Sequence, residues 1–199
     1  MTDRLIDDLA PPADALNGAD ALDGADALDG ADAADFRGLM STFPTGVSVV
    51  TALAHDGRPW GMTCSSVTSV TTDPPTLLVG LRRDSPTLAA VQAGSAFTVN
   101  LLHHQGRAAA ELFASGDPDR FGKVAWRTGH DGGPHLTDDA HTAADCRLSH
   151  TLTVGDHTLV LGRVLRIRRY REHPPAPLLY GLRRYGSWAA AELPDEALR

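Results

Sequence analysis

Between Gly61 and Thr76 the chain reads GMTCSSVTSVTTDPPT, where Thr63, Ser65, Ser66, Thr68, Ser69, Thr71 and Thr72 supply hydroxyls and Asp73 is the one charge. Side chains of an extended segment alternate between faces, so this stretch puts hydroxyls on both and can line a polar groove with neutral donors. Gly61 adds a point where backbone can approach a ligand closely. A plainer reading, a Ser/Thr-rich edge strand, stands beside this one. No triad or carboxylate pair accompanies the hydroxyls, so the chemistry they suit is binding. Cys64 and Cys146 have neither metal spacing nor a disulfide framework. The nine histidines are scattered, and the adjacent His103 and His104 would diverge on a helix. No metal site is expected.

Charge narrows the ligand class. The net charge is -7, but residues 1–35 hold ten Asp against Arg4 alone, which leaves the rest at +2 with 15 acidic and 17 basic residues. A nearly neutral body argues against a nucleic-acid surface and suits small phosphorylated anions. Lys123 is the only lysine, so cationic contacts to phosphate fall mostly to Arg, whose planar fork matches phosphate oxygens.

The elements that must position these residues follow from periodicity. Residues 14–32 repeat Ala, Asp, Leu and Gly with a six-residue period that fits neither helix nor heptad. One Leu per repeat buries too little to offset ordering entropy, so residues 1–34 are expected to be a disordered acidic tail. Asp35 is expected to cap a short helix carrying Phe36, Leu39, Met40 and Phe43 on one face, ended by Pro44. VSVVTALAH reads as a strand before the turn signal Asp56-Gly57, and one strand is expected over about Trp60–Val70. TLLVGL reads as a buried strand, and Ser85-Pro86 opens a helix running to Gly94. AFTVNLL is a further strand, followed by a helix through AAAELFA whose Leu112 and Phe113 would face the core. Residues 116–139 read as a long functional loop. Strands are expected again over about Ala144–Val154, His157–Arg168, LLYGL and Arg183–Trp188. The absence of βαβ alternation and of GxGxxG disfavours a Rossmann domain. The expected class is mainly β with short helices (α+β), a closed or partly closed barrel over residues 35–190 with a C-terminal tail at 191–199.

FPTGV (43–47), GMTCSS (61–66), DPP (73–75), SPT (85–87), FTVNLL (97–102), FASGDPDRF (113–121), GDHTLVLGRV (155–164) and PLLYGLRRYGSW (177–188) follow one another in an order that closely resembles the short-chain flavin reductase family. These are the reductase components of two-component flavin-dependent monooxygenases. The resemblance covers about residues 36–188. It implies a split β-barrel of the FMN-binding type, a homodimer, and reduction of FAD or FMN by NADH or NADPH for a separate monooxygenase.

Residue by residue, the resemblance sets the flavin ring against Thr45, Gly61, Met62, Thr63, Cys64, Ser65 and Ser66. Ser69, Arg82 and Ser85 are candidates for the phosphate side, because hydroxyls, an Arg fork and a helix N-terminus suit phosphate; a plain N-cap role competes at Ser85. Asn100, Leu101, Leu102 and Gln105 match the strand end and turn that pass the flavin. Phe121 matches an aromatic closing the site, with a core Phe as the alternative. Gly155-Asp156-His157 implies His157 at the nicotinamide, against an incidental turn histidine, and Tyr185 borders the same face or packs an interface. Hydride transfer from nicotinamide to flavin needs proximity rather than an acid–base side chain, so no catalytic residue is expected.

Two other readings keep the same barrel: a non-catalytic flavin-binding protein, and an FMN enzyme of the pyridoxamine-phosphate-oxidase type. The start, MTDRLIDDLAPP, places acids where a signal peptide needs an apolar run, and no stretch reaches the length of a membrane span. A cytoplasmic location without nucleic-acid or membrane partners is expected.

Overall fold

A computed structural model of the protein describes residues 30–171 and 176–188. The expected acidic tail lies outside the described residues over 1–29, as does the expected C-terminal tail at 191–199. Helix α1 spans Ala33–Ser41. Its cap is Asp32 rather than the expected Asp35: the Asp32 carboxylate accepts from the backbone N–H of Ala34 and Asp35, the first donors without a helical partner.

Twelve described strands follow: β1 Thr45–Gly46, β2 Ser48–Leu53, β3 Pro59–Cys64, β4 Val67–Thr72, β5 Pro75–Arg82, β6 Ala96–Leu102, β7 Trp126–Thr128, β8 Pro134–Leu136, β9 Ala140–Val154, β10 His157–Arg169, β11 Leu178–Gly181 and β12 Arg184–Ser187. Helices α2 (Pro86–Gly94) and α3 (Arg107–Ala114) interrupt them. Seven strands form one antiparallel sheet in the order β3-β2-β6-β9-β10-β5-β4. β3 and β4 are consecutive in the chain yet occupy opposite edges. The sheet therefore curls until its edges meet at the Ser65-Ser66 bend, where Gly80 N–H donates to Ser66 O at 3.2 Å. This is the split barrel that the family resemblance implies. The single strand expected over Trp60–Val70 is broken here, because one straight strand cannot serve both edges.

β2 reads SVVTAL without polar alternation because both its faces are covered. Val50, Ala52, Val99, Phe97 and Cys64 line the barrel interior with Val79, Leu81, Val160 and the α2 side chains Leu88 and Val91. Val49 points to a second core with Leu136, Ala110, Phe113, Leu102 and Leu178, under α3 and the small sheet β1-β11-β12. A fully buried Val, Leu or Phe contributes roughly 1.5–3 kcal/mol of transfer free energy, so two cores on one strand hold the centre of the sheet rigid. Phe113 is buried as expected from sequence, whereas Leu112 is only half-buried.

Residues 116–139, expected as a loop, contain a 3-10 turn at Arg120–Lys123 and the β7–β8 pair. Leu136 is fully buried, so this segment is part of the core.

Candidate functional site

The motif GMTCSSVTSVTT runs along β3, round the bend and along β4, so it lines both edges of the split. An edge strand leaves one side of its backbone without a strand partner, and the two edges meet that need differently. On β3, Thr63 Oγ1 donates to Ala110 O of α3 at 2.6 Å, and Arg120 Nη1 donates to Gly61 O at 2.7 Å. A Cβ on Gly61 would lie 2.9 Å from the Phe113 ring, so only glycine lets α3 seat this closely. Met62 packs against the barrel core. Cys64 is buried within that core; burial pushes its thiol pKa up despite hydrogen bonds with Ser66 and Gly80 that pull the other way. It is an inert core thiol.

On β4 the hydroxyls stand in the open. Ser66 Oγ donates to Gly80 O at 3.0 Å and Thr71 Oγ1 to Asp73 O at 3.4 Å. Ser65, Thr68, Ser69 and Thr72 are exposed and have no side-chain hydrogen bond among the described residues. Neutral donors and an unpaired strand edge suit the carbonyls and ring nitrogens of a planar heterocycle, which is how the residues present fit a flavin.

The antiparallel register brings a second group together. His157 at the start of β10 lies opposite Arg82 at the end of β5. Arg83 N–H donates to Asp156 O at 2.9 Å, and Ser85 N–H closes a turn on Arg82 O. Ser85 Oγ accepts from Leu88 N–H at 3.1 Å, so the N-cap role competing with phosphate contact is occupied. His157 Nδ1 lies 2.7 Å from Asp156 Oδ1, a contact that holds the Asp156 carboxyl below its usual range. Arg82 and His157 remain exposed, a cation and an imidazole side by side at one barrel end.

The β6 residues divide. Leu101 is exposed and lies in one row with Ser48 and Cys64. Leu102 is buried in the second core. Asn100 is fully buried: Nδ2 reaches Val49 O, Thr51 Oγ1 and Pro134 O, each at 3.1 Å, while Oδ1 accepts from Leu136 N–H at 2.9 Å. Its polar atoms are spent on joining β2, β6 and β8. Gln105 is exposed in the 3-10 turn His104–Gly106. Thr45 lies opposite Tyr180, whose ring meets Tyr185 edge-on at 5.2 Å. The Tyr185 phenol, packed on the second core, is raised in pKa mainly by burial. Phe121 meets Phe113 and Trp126 edge-on at 5.0 and 5.5 Å, which is the core role weighed for it.

Sequence reasoning missed two features. Arg120 lies inside FASGDPDRF but received no role. Asp145, in the middle of β9, is 1% exposed and is one end of a relay. Arg127 Nε and Nη2 both donate to the Tyr170 hydroxyl, whose own hydrogen is then left for His135 Nδ1 at 2.7 Å. His135 Nε2 donates to Asp145 Oδ1 at 2.6 Å, and Thr98 Oγ1 donates to the same oxygen at 2.8 Å. A charged residue amid Ala143, Ala144 and Cys146 is the signal that could have found it, since buried charges need partners.

Comparison with known proteins places this geometry among relatives. The family model of the flavin reductase like domain matches residues 40–189. A flavin reductase (NADPH) of Lentzea aerocolonigenes is 54% identical over 156 residues, which cover 78% of this chain and 89% of that protein. The reductase subunit of a flavin-dependent monooxygenase from Rhodococcus jostii is 34% identical over 141 residues, 70% of this chain and 71% of that one. Among solved structures, the NADH:FAD oxidoreductase of Streptomyces globisporus, in complex with NAD and FAD fragments, superposes with a TM-score of 0.75 at 31% identity. That match covers 84% of this chain and 99% of the other.

Proposed function

Since this chain belongs to the flavin reductase like family, we propose that it transfers hydride from NADH or NADPH to FAD or FMN and supplies the reduced flavin to a separate monooxygenase. It is an NAD(P)H-dependent flavin reductase. The observation that carries this reading is the match over residues 40–189, which spans both edges of the split and the His157 hairpin in one domain. The flavin supplies the hydride-accepting chemistry; the chain's work is to hold two rings in contact and to give donors to the reduced ring. Ser65, Ser69 and the open β4 edge are suited to the flavin. The exposed Arg82 and His157 are suited to a phosphorylated nucleotide, and Asp156 keeps the imidazole oriented. Anaerobic mixing with FAD or FMN and each nicotinamide tests the reading: the oxidised flavin band should bleach with at least one pair, and no bleaching with any pair overturns it.

The partner is another copy of the chain in this reading. Along β10, Thr158, Val160 and Gly162 are buried, so Leu159 and Leu161 point outward, with Leu152 opposite Leu159 across the ladder. Leu152 and Val154 are exposed on that same side of β9, an apolar patch that a homodimer would cover. Sedimentation should give about twice the 21.1 kDa chain mass; a stable active monomer overturns it. No described helix is long and apolar enough to cross a membrane, and we place the enzyme in the cytoplasm. The 1–34 stretch expected as a tail includes the Asp32 cap and the first two residues of α1, so deletion of residues 1–31, which keeps both, should leave flavin reduction unchanged.

A further inference from the structure

We infer that Arg120 is a positioning residue for the flavin site, acting through the backbone of β3 and through the adjacent Phe121. The inference rests on the flavin-reductase reading. Its guanidinium ties two chain segments by their carbonyls: Nη1 donates to Gly61 O and Nε to Asp117 O, both at 2.7 Å. Gly61 opens the flavin motif on an edge strand, where its carbonyl has no partner strand on the outer side. Asp117 belongs to the loop that carries Phe121. One side chain thereby fixes the separation between that loop and the edge strand.

The surroundings make the tie specific. Phe121 meets Phe113 edge-on, and the Phe113 ring lies 2.9 Å from where a Cβ on Gly61 would be. Gly61, Phe113 and Phe121 are thus in series, and Arg120 closes the circuit from Phe121 back to Gly61. Lys123 pairs with the Asp117 carboxylate and steadies the loop from its far side. An Arg is required because its donors lie in one rigid plane and reach two carbonyls at once; an ammonium is a point donor. Loss of the tie frees the loop and removes the side-chain hydrogen bond that holds the outer side of β3 at Gly61. The His157 turn at the start of β10 does not depend on it.

The test uses Arg120→Ala and Arg120→Lys in the full chain. Flavin affinity is read by fluorescence titration, with KM for each nicotinamide and kcat at saturating flavin measured alongside. For R120A the flavin Kd should rise about tenfold, because a displaced edge strand misplaces several ligand contacts at once, with KM for the nicotinamide and kcat at saturation within about twofold. R120K, which can keep one carbonyl, should recover most of the affinity. Unchanged flavin Kd in R120A overturns the inference. So do equal losses in both substrates that follow a fall in melting temperature without recovery in R120K. If R120A does not fold, R120K carries the test: its flavin Kd should still exceed wild type by about two- to threefold with nicotinamide KM unchanged, and equality with wild type overturns the proposal. Failure of the wild-type protein to bleach any flavin overturns the reductase reading instead.

Discussion

Two polar regions of this chain differ in their hydrogen bonding. The buried layer of Thr51, Thr98, Asn100, His135 and Asp145 binds its own groups to one another and to backbone between β2, β6, β8 and β9. The belt formed by Ser65, Thr68, Ser69 and Thr72 is exposed, and its hydroxyls have no hydrogen bond among the described residues. A buried polar group must be satisfied by the protein itself, and a group that is satisfied there has little left for a ligand. The difference teaches which polar residues to assign to architecture and which to binding. Asn100 belongs with the former, although its motif placed it beside the flavin.

The largest effect expected from this contrast is at Asp145. Asp145 Oδ1 accepts from both His135 and Thr98, while Oδ2 has no partner among the described residues. Removing the carboxylate in Asp145→Ala strands two buried donors, and breaking such a pair costs roughly 3–5 kcal/mol. Asp145→Asn keeps an acceptor in place and should cost less. Urea unfolding of both variants checks this; a loss below about 1 kcal/mol for D145A would move Asp145 out of the architectural layer.

A smaller effect is expected on the exposed side. His157→Ala should weaken the nicotinamide nucleotide by about 1–2 kcal/mol, or roughly five- to thirtyfold in KM, and leave flavin affinity intact. Equal loss for both ligands would make His157 a support of the fold, and no loss for either would leave it an ordinary turn residue.

The alkaline limb sharpens the architectural side. Cys146 neighbours Asp145 on β9, and burial together with that carboxylate pushes its thiol from 9.0 up to about 12. Below pH 9 the thiol is protonated whether the chain is folded or not, and its contribution is fully present. Between the unfolded value and about 12 the unfolded chain releases the proton while the folded one keeps it, so stability falls by about 1.4 kcal/mol per pH unit. Cys64 is shifted in the same direction by burial. Unfolding midpoints of wild type and Cys146→Ala, each compared at pH 8 and pH 10, should show a shallower loss in the variant; parallel losses would assign the limb to other groups.

Much of the β scaffold was legible because its signals are local. The β-branched run of β2, the Asp56-Gly57 turn and the Ser85-Pro86 helix start mark β2, the start of β3 and α2 to within two residues. The break at Ser65-Ser66 was not legible, since Ser and Thr continue the same pattern on both sides and only barrel closure decides where the chain bends. The β7–β8 pair was hidden by glycines. Gly132 lies where a Cβ would meet Thr98 Oγ1 and Asp145 Oδ1, and Gly133 where one would meet Thr51 O, so a segment that reads as loop is glycine-rich because it packs closely. At the site, residue types pointed to binding, and tertiary partners then divided Thr63, Cys64 and Asn100 from Ser65 and Ser69.

The smallest effect tests that division most directly. Ser65 and Ser69 are exposed and have no side-chain hydrogen-bond partner among the described residues, so Ser65→Ala and Ser69→Ala should change unfolding free energy by no more than about 0.5 kcal/mol, as surface substitutions usually do. If their hydroxyls meet the flavin, each variant should lose about 1 kcal/mol of flavin affinity, roughly fivefold in Kd, the net worth of one hydrogen bond. Thr63→Val is the matched control on the sealed edge: it removes the donor to Ala110 O in a half-buried setting and should cost stability more than flavin affinity. Fluorescence titration with FAD and FMN beside thermal melts separates the two outcomes. Flavin affinity unchanged in both serine variants would mean that the open β4 edge holds the ligand by backbone groups alone. A Thr63→Val loss in affinity without loss of stability would mean that β3 helps position the ligand and is not purely architectural.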